Sequence, residues 1–173
     1  MSILVDYDPT WPERCQRAAA EMSAVGPPDW VIEHIGSTSV PGLTAKPIID
    51  LAVRVGSFAE LDEYQSALRG IGWHPIAAGP RTHRVLVRVN GPDRTHIAHF
   101  FTPDQWDACN QRIFRDWLRA HPDDRTRYEA VKIAAAQESS GREYTERKTA
   151  IVQEIVDRAR TGRGLPPVDV WDK

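Results

Sequence analysis

Long apolar runs are missing from this chain, and so is an excess of either charge. Its 173 residues carry 22 Lys and Arg against 24 Asp and Glu, a formal net charge of -2. The field of the whole molecule therefore gives no pull toward nucleic acid or an anionic membrane. No apolar run is long enough to span a bilayer, so no membrane partner is expected. The start, MSILVDYDP, has no basic region and too short an apolar run for a signal peptide. Cysteine is scarce: Cys15 and Cys109 lie far apart and in no metal-ligand spacing. Both read as reduced helix residues, which suits a cytoplasmic protein. Repeats at solenoid period and low-complexity tracts are also absent. What remains is a chain of single-domain length that can bury roughly 70% of its unfolded surface and needs no staples.

Residues 3–7 read as a short strand or extended arm. Thr10, Pro12 and Glu13 mark a helix start with Thr10 as N-cap and Glu13 completing a capping box. That helix stops at Gly26-Pro27-Pro28. Ser57 with Glu60 repeats the capping signal and predicts a helix over 58–69, with Leu61, Tyr64 and Leu68 on one face. Thr82 to Asn90 alternates: Val85, Val87 and Val89 one way, Arg84, Leu86 and Arg88 the other. A turn at 90–93 and a returning strand over 95–101 complete a hairpin. Thr102 and Gln105 open a helix to about His121, and Pro122 starts another to about Glu138. Ser139-Ser140-Gly141 breaks it before a last helix over 142–160. One domain over 1–162 and a flexible tail over 163–173 follow from this order.

The stretch VIEHIGSTSVPGLTAKPIIDLAVRV, residues 31–55, organises the rest. Two apolar runs, Val31 to Ile35 and Ile48 to Val55, read as strands. Pro41, Gly42 and Pro47 forbid a long helix between them. In the second run Ile49, Leu51, Val53 and Val55 share a core face, leaving Asp50, Ala52 and Arg54 opposite. A buried acid without a partner is costly, so that opposite face must meet solvent, a cation or a cleft. Alone, Gly36-Ser37-Thr38 is a polar turn and Asp50 a solvated acid. Together they suit a different task. A small-residue turn brings N–H groups and a hydroxyl to a phosphate. A carboxylate 13 residues beyond Ser37 can hold a divalent metal against it. Phosphoryl and nucleotidyl transfer ask for little more than this positioning and charge neutralisation.

EHIGSTSVPGLTAKPIIDL resembles the signature of the GrpB family, within the nucleotidyltransferase superfamily. The resemblance continues in RTHIAHFF, in FRDWLRAHP from Phe114 to Pro122, and in two Tyr-x-x-x-Lys pairs, Tyr128/Lys132 and Tyr144/Lys148. It runs from about Tyr7 to Ile155. It implies an α/β (α+β) fold of polymerase-beta-like type: a small mixed four- to five-stranded sheet with a helical C-terminal part. The superfamily pattern is a Gly-Ser turn, an Asp-x-Asp or Asp-x-Glu on the next strand, and a third acid on a later one. Asp50 fills the first position. The second falls at Ala52, and the later hairpin offers His96 and His99 instead of an acid. One Asp is a poor cage for two magnesium ions, but a single ion can be held by one carboxylate, waters and the substrate's phosphates.

The remaining candidates each have a bland alternative. Lys46 would contact phosphate or be a plain loop lysine. Arg81, His83, Arg84, Arg88 and Arg94 make the hairpin region basic, which suits an anionic ligand or a solvated face. His96 and His99 stand on opposite faces of a regular strand. The family often carries a further histidine at the position of Ile97, and that resemblance favours His99 for the cleft, as base, metal ligand or phosphate partner. Lys132 and Lys148 each share a helix face with a tyrosine four residues earlier. They would reach a triphosphate or base, or snorkel beside packed rings.

Two functions are compatible with this reading. One is a magnesium-dependent nucleotidyltransferase acting on a nucleoside triphosphate and an unnamed acceptor. In it Asp50 and His99 are catalytic, Asp50 is the metal ligand, and Gly36, Ser37, Thr38, Lys46, Arg81, His83, Lys132 and Lys148 are nucleotide contacts. The other is a catalytically degenerate module of the same fold that holds a nucleotide or phosphometabolite. A small-molecule nucleotide is the expected partner in both. Nucleic acid is disfavoured by net charge, although the basic hairpin suits RNA ends.

Overall fold

The computed structural model describes residues 4–77, 79–137 and 141–170, the last stretch without the side chains of 141–147. The Ser139-Ser140 break and the Tyr144 side chain lie outside the described residues. Five strands are described: β1 (Val31–Ile35), β2 (Ile49–Arg54), β3 (His74–Pro75), β4 (Arg84–Asn90) and β5 (Asp93–Phe101). They form one sheet in the order β1-β2-β5-β4-β3. The β2–β5 pair is parallel and the other pairs are antiparallel. The mixed sheet is as expected; the two-residue edge strand β3 is too short to leave an alternating signal. Val5 and Ala45 form an isolated bridge outside the sheet.

Period-two alternation divides the sheet into two faces. On one, Ile49, Leu51, Val53, Leu86, Ala98 and Phe100 pack against helices α1 (Trp11–Val25), α2 (Phe58–Glu63) and α3 (Gln65–Gly70). Met22 and Phe100 are fully buried there, each worth about 1.5–3 kcal/mol. On the other, register places Asp50 between Ile35 and Ile97, and Ala52 between Glu33 and His99. That face is covered by α4 (Pro103–Trp106), α5 (Asn110–Ala120), α6 (Pro122–Gln137) and α7 (Gly141–Gly162). Val40 and Leu43, from the link between β1 and β2, are buried among α5, α6 and α7. The loop that carries the glycine turn is thereby clamped to the helical half.

Local signals resolve differently in four places. Thr10 makes no side-chain cap bond; the Asp8 carboxylate accepts the Thr10 N–H at 2.8 Å instead. The helix expected over 58–69 breaks at Tyr64, whose ring packs edge-on against Trp30 at 5.8 Å while Leu61 and Leu68 both stay in the core. The helix expected over 103–121 is interrupted between Trp106 and Asn110. Arg112 donates to the Trp106 carbonyl at 2.7 Å, and that carbonyl would otherwise accept from residue 110 in an unbroken helix. Finally, residues 163–170, read from the sequence as tail, lie back along α7. Arg160 donates to the Pro166 carbonyl at 2.6 Å, and Gln153 bonds both Val168 and Val170.

Candidate functional site

The site begins where β1 ends. Gly36 has φ of 72°, in the region that favours glycine. A Cβ placed there would lie 2.9 Å from both Cβ and Cγ of Asp50. The missing side chain is what lets the turn come against the carboxyl. Residues Ser37–Ser39 then make one 3-10 turn. Ser39 Oγ donates to the Gly36 carbonyl at 2.6 Å. Thr38 Oγ1 donates to the Ile48 carbonyl at 3.1 Å and meets His34 Nε2 at 3.0 Å. Thr38 and Ser39 are buried, so their hydroxyls hold the turn together. Ser37 instead lines the hollow in front of it.

The helical half fastens the loop that follows. Arg119 Nε and Nη2 both donate to the Ser39 carbonyl, at 3.0 and 2.7 Å. Arg125 reaches the Pro41 carbonyl at 3.2 Å. At Thr44 the N–H donates to Glu129 at 2.7 Å and the carbonyl accepts from Lys132 Nζ at 2.6 Å. Four side chains of α5 and α6 thus hold backbone groups of one loop. Each carbonyl bonded by a charged donor gains about 1.5–3 kcal/mol.

Gly36, Ser37, Asp50, His99, Arg115, Tyr128 and Lys148 line a hollow of about 290 Å³ between the turn and α5–α7. The Asp50 side chain is 24% exposed. Burial raises its pKa to about 7, against the pull of Lys148, Lys132 and Arg94. His99 Nε2 lies 4.0 Å from Asp50 Oδ1, too far for a hydrogen bond. Burial, with His83 beside it, pushes His99 down to about 3, so its imidazole is neutral. Lys132 is buried beside Tyr128; desolvation and then Lys148 lower it to about 7. Burial and Lys46 also lower Lys148. A desolvated carboxyl faced by desolvated lysines is an arrangement that an anionic ligand with a cation would relieve.

A metal has a limited donor set here. Among the described residues no group of three or more His, Cys, Asp or Glu side chains is placed to hold one. A zinc-type cage is not offered. A single magnesium ion fits better, because it keeps waters and phosphate oxygens as most of its ligands.

The other expected contacts are scattered. Lys46 is near enough to act on Lys132 and Lys148 but is not among the residues lining the hollow. Arg81 is exposed and lines neither this hollow nor the larger one beside His99. His83 is buried and its Nε2 meets His99 Nδ1 at 2.9 Å, behind the hollow. Of the hairpin arginines, Arg94 is near enough to act on Asp50, whereas Arg84 and Arg88 turn away from the site. Arg88 pairs with Glu21 at 2.6 Å and stacks on Trp73, and Arg84 lies over Phe58, all on the α1–α3 side. The valine face of β4 turns toward His99 instead. His96 also faces the α1–α3 side, 6.1 Å from the Trp73 ring.

The family model described as GrpB protein matches residues 2–158. The chain belongs to the GrpB family. A UPF0157 protein of Halalkalibacterium halodurans is 39% identical over 161 residues, covering 90% of this chain and 81% of that one. The crystal structure of conserved protein GrpB from Enterococcus faecalis superposes with a TM-score of 0.81 at 30% identity, over 94% of this chain and 99% of that chain. The poly(U) polymerase Cid1, solved with MgGTP bound, superposes at 0.54 and 14% identity over 78% of this chain and 45% of its own. That likeness establishes a fold of nucleotidyltransferase type.

In this GrpB chain position 52, where the expected pattern has its second carboxylate, is closed. Ala52 is fully buried with Ile35, Phe101, Trp106 and Cys109. The nearest acid in the ladder, Glu33, is held by Arg112 at 3.0 Å and Arg115 at 2.7 Å. Those two arginines hold its carboxyl below the usual range despite burial. Neither Glu33 nor Arg115 is signalled by the sequence as a site residue. The Arg-x-x-Arg spacing of 112 and 115 places both on one helix face, but only the tertiary pairing shows which acid they meet.

Proposed function

We propose that this chain binds a magnesium–nucleoside triphosphate in the hollow between the Gly36–Ser39 turn and Asp50, and transfers its nucleoside monophosphate to an acceptor. The observation that carries this is the contact of Gly36 with the Asp50 carboxyl, which only glycine permits. It brings the turn's backbone and a carboxyl to one opening, which supports their use for phosphate and cation. The shared fold with a polymerase solved with MgGTP supports the same use of the hollow. Ser37 offers a hydroxyl and an N–H to phosphate oxygens. Asp50 holds the cation, and Lys148 and Lys132 offset the phosphate charge from the helical side. A bound magnesium ion would supply charge neutralisation between carboxylate and phosphates. His99, neutral and beside Asp50, presents a ring nitrogen for a hydrogen bond to the ligand.

A second reading is favoured by one observation. The apolar cover over Ala52 removes the second metal ligand, so the chain holds its nucleotide without turnover.

Melting with each triphosphate, with and without magnesium, tests the site. Stabilisation that needs magnesium and vanishes in Asp50→Asn supports it; equal stabilisation in EDTA contradicts it. Pyrophosphate release across an acceptor panel then separates transferase from binder.

A further inference from the structure

His99 is a wall with a hollow on each side. Behind it lies a larger one of about 850 Å³, which shares His99, Asn110, Gln111 and Val170 with the smaller hollow. The two differ in charge. The smaller has Asp50 and Lys148 in its wall. The larger is faced by Ile76, Pro80, Phe101 and Val168. Its guanidinium, Arg160, is buried and already donates to Pro166 at 2.6 Å, Ala108 at 3.0 Å and Asn110 Oδ1 at 2.8 Å. Its acid, Asp169, is exposed. Among the described residues that line it, no uncompensated cation is on offer for a phosphate. The shared border offers neutral donors instead. Asn110 Oδ1 is occupied by Arg160, and Gln111 Oε1 accepts from Cys109 Sγ at 3.3 Å. The two side-chain NH₂ groups are left to donate.

We propose that this larger hollow binds an uncharged, hydroxyl-bearing molecule with an apolar body, of about nucleoside size, and that this molecule is the acceptor. Its volume lies within the roughly 300–1,000 Å³ of small-molecule sites. The assignment of acceptor rests on the smaller hollow being the triphosphate site; the binding itself does not. In that reaction the acceptor's hydroxyl oxygen forms a bond to the α-phosphorus, and the bond from that phosphorus to the bridging oxygen breaks. Pyrophosphate leaves, and the hydroxyl proton passes to water.

The test uses adenosine, uridine and maltose as probes, titrated into the full chain while the side-chain amide signals of Asn110 and Gln111 are followed by NMR. At least one probe moves both signals saturably, and does so equally in Asp50→Asn. Ala108→Trp, which fills the larger hollow, abolishes the shift; Ala108→Leu serves where the larger substitution lowers the melting temperature. The proposal is overturned when no probe moves these signals, or when the shift survives the filling variant unchanged. A magnesium complex of a non-hydrolysable triphosphate, titrated separately, reports on the other hollow through the Ser37 amide. Loss of that signal change alone counts against the triphosphate site and leaves the second site standing.

Discussion

Asp50 and Ala52 lie two residues apart on the same face of β2 and meet opposite surroundings. Asp50 looks past a glycine into an open hollow with Lys148 in its wall. Ala52 is sealed under Trp106, Phe101, Cys109 and Ile35. A two-residue step along a strand is about 6.6–6.8 Å, so the boundary between a wet site and a dry plug is one side chain wide. The difference lies in what covers each position. At Asp50 the turn comes close without covering the carboxyl, because Gly36 has no side chain. Above Ala52 the interrupted segment between α4 and α5 drops Trp106 and Cys109 onto the sheet. The comparison teaches that this fold leaves the carboxyl at position 50 uncovered and has built its core over position 52.

The sharpest way to break that comparison is to write an acid at the plugged position. Ala52→Asp buries a carboxylate among apolar side chains and costs on the order of 3–5 kcal/mol, read as a fall in melting temperature of roughly 10 °C or more. Pyrophosphate release does not rise. A variant as stable as the parent, with faster release, would show the plug to be soft.

Asp50 itself gives the next effect. Burial holds it near 7, above its unfolded value of about 4. Between those values the folded chain binds more protons than the unfolded one, so stability is full below about pH 4 and is lost as pH rises through 7. Asp50→Asn removes that loss. The variant should melt several degrees higher than the parent at pH 8, with the gap closing toward pH 4, a difference of roughly 2–4 kcal/mol. A variant less stable at pH 8 would mean that the lysines already compensate the carboxylate.

Gly36→Ala tests the opening. Positive φ costs a non-glycine residue about 1–2 kcal/mol, and the added methyl displaces the Asp50 carboxyl. Magnesium-triphosphate affinity should fall by about tenfold or more, which is at least 1.4 kcal/mol. Arg119→Ala, the smallest change, frees the Ser39 carbonyl. It should lower stability by about 1.5 kcal/mol and speed amide hydrogen exchange over 37–44, leaving exchange at Ala52 unchanged.

Much of this was legible from residues alone because the strands alternate cleanly. Ile49, Leu51 and Val53 assign themselves to the core, and Asp50 and Ala52 follow to the other face. The same logic separated His96 from His99 and Arg84 and Arg88 from the valines of β4. It could not say which face of the hairpin meets the site, because that depends on the parallel pairing of β5 with β2. The arginine face went to Glu21, Trp73 and Phe58 instead of the hollow. Helix breaks at Tyr64 and after Trp106 escaped for a related reason: ring packing and the Arg112 hydrogen bond override good local helix signals. The hold of Lys132 on Thr44, 88 residues away, leaves no local trace at all.

The most direct measurement is a crystal soaked with a non-hydrolysable triphosphate and manganese, examined at the manganese absorption edge. The account predicts one manganese ion touching an Asp50 carboxylate oxygen and a phosphoryl oxygen, with the phosphates against the Gly36–Ser37 backbone. Phosphates bound away from that turn, or an ion that leaves Asp50 untouched, would contradict it.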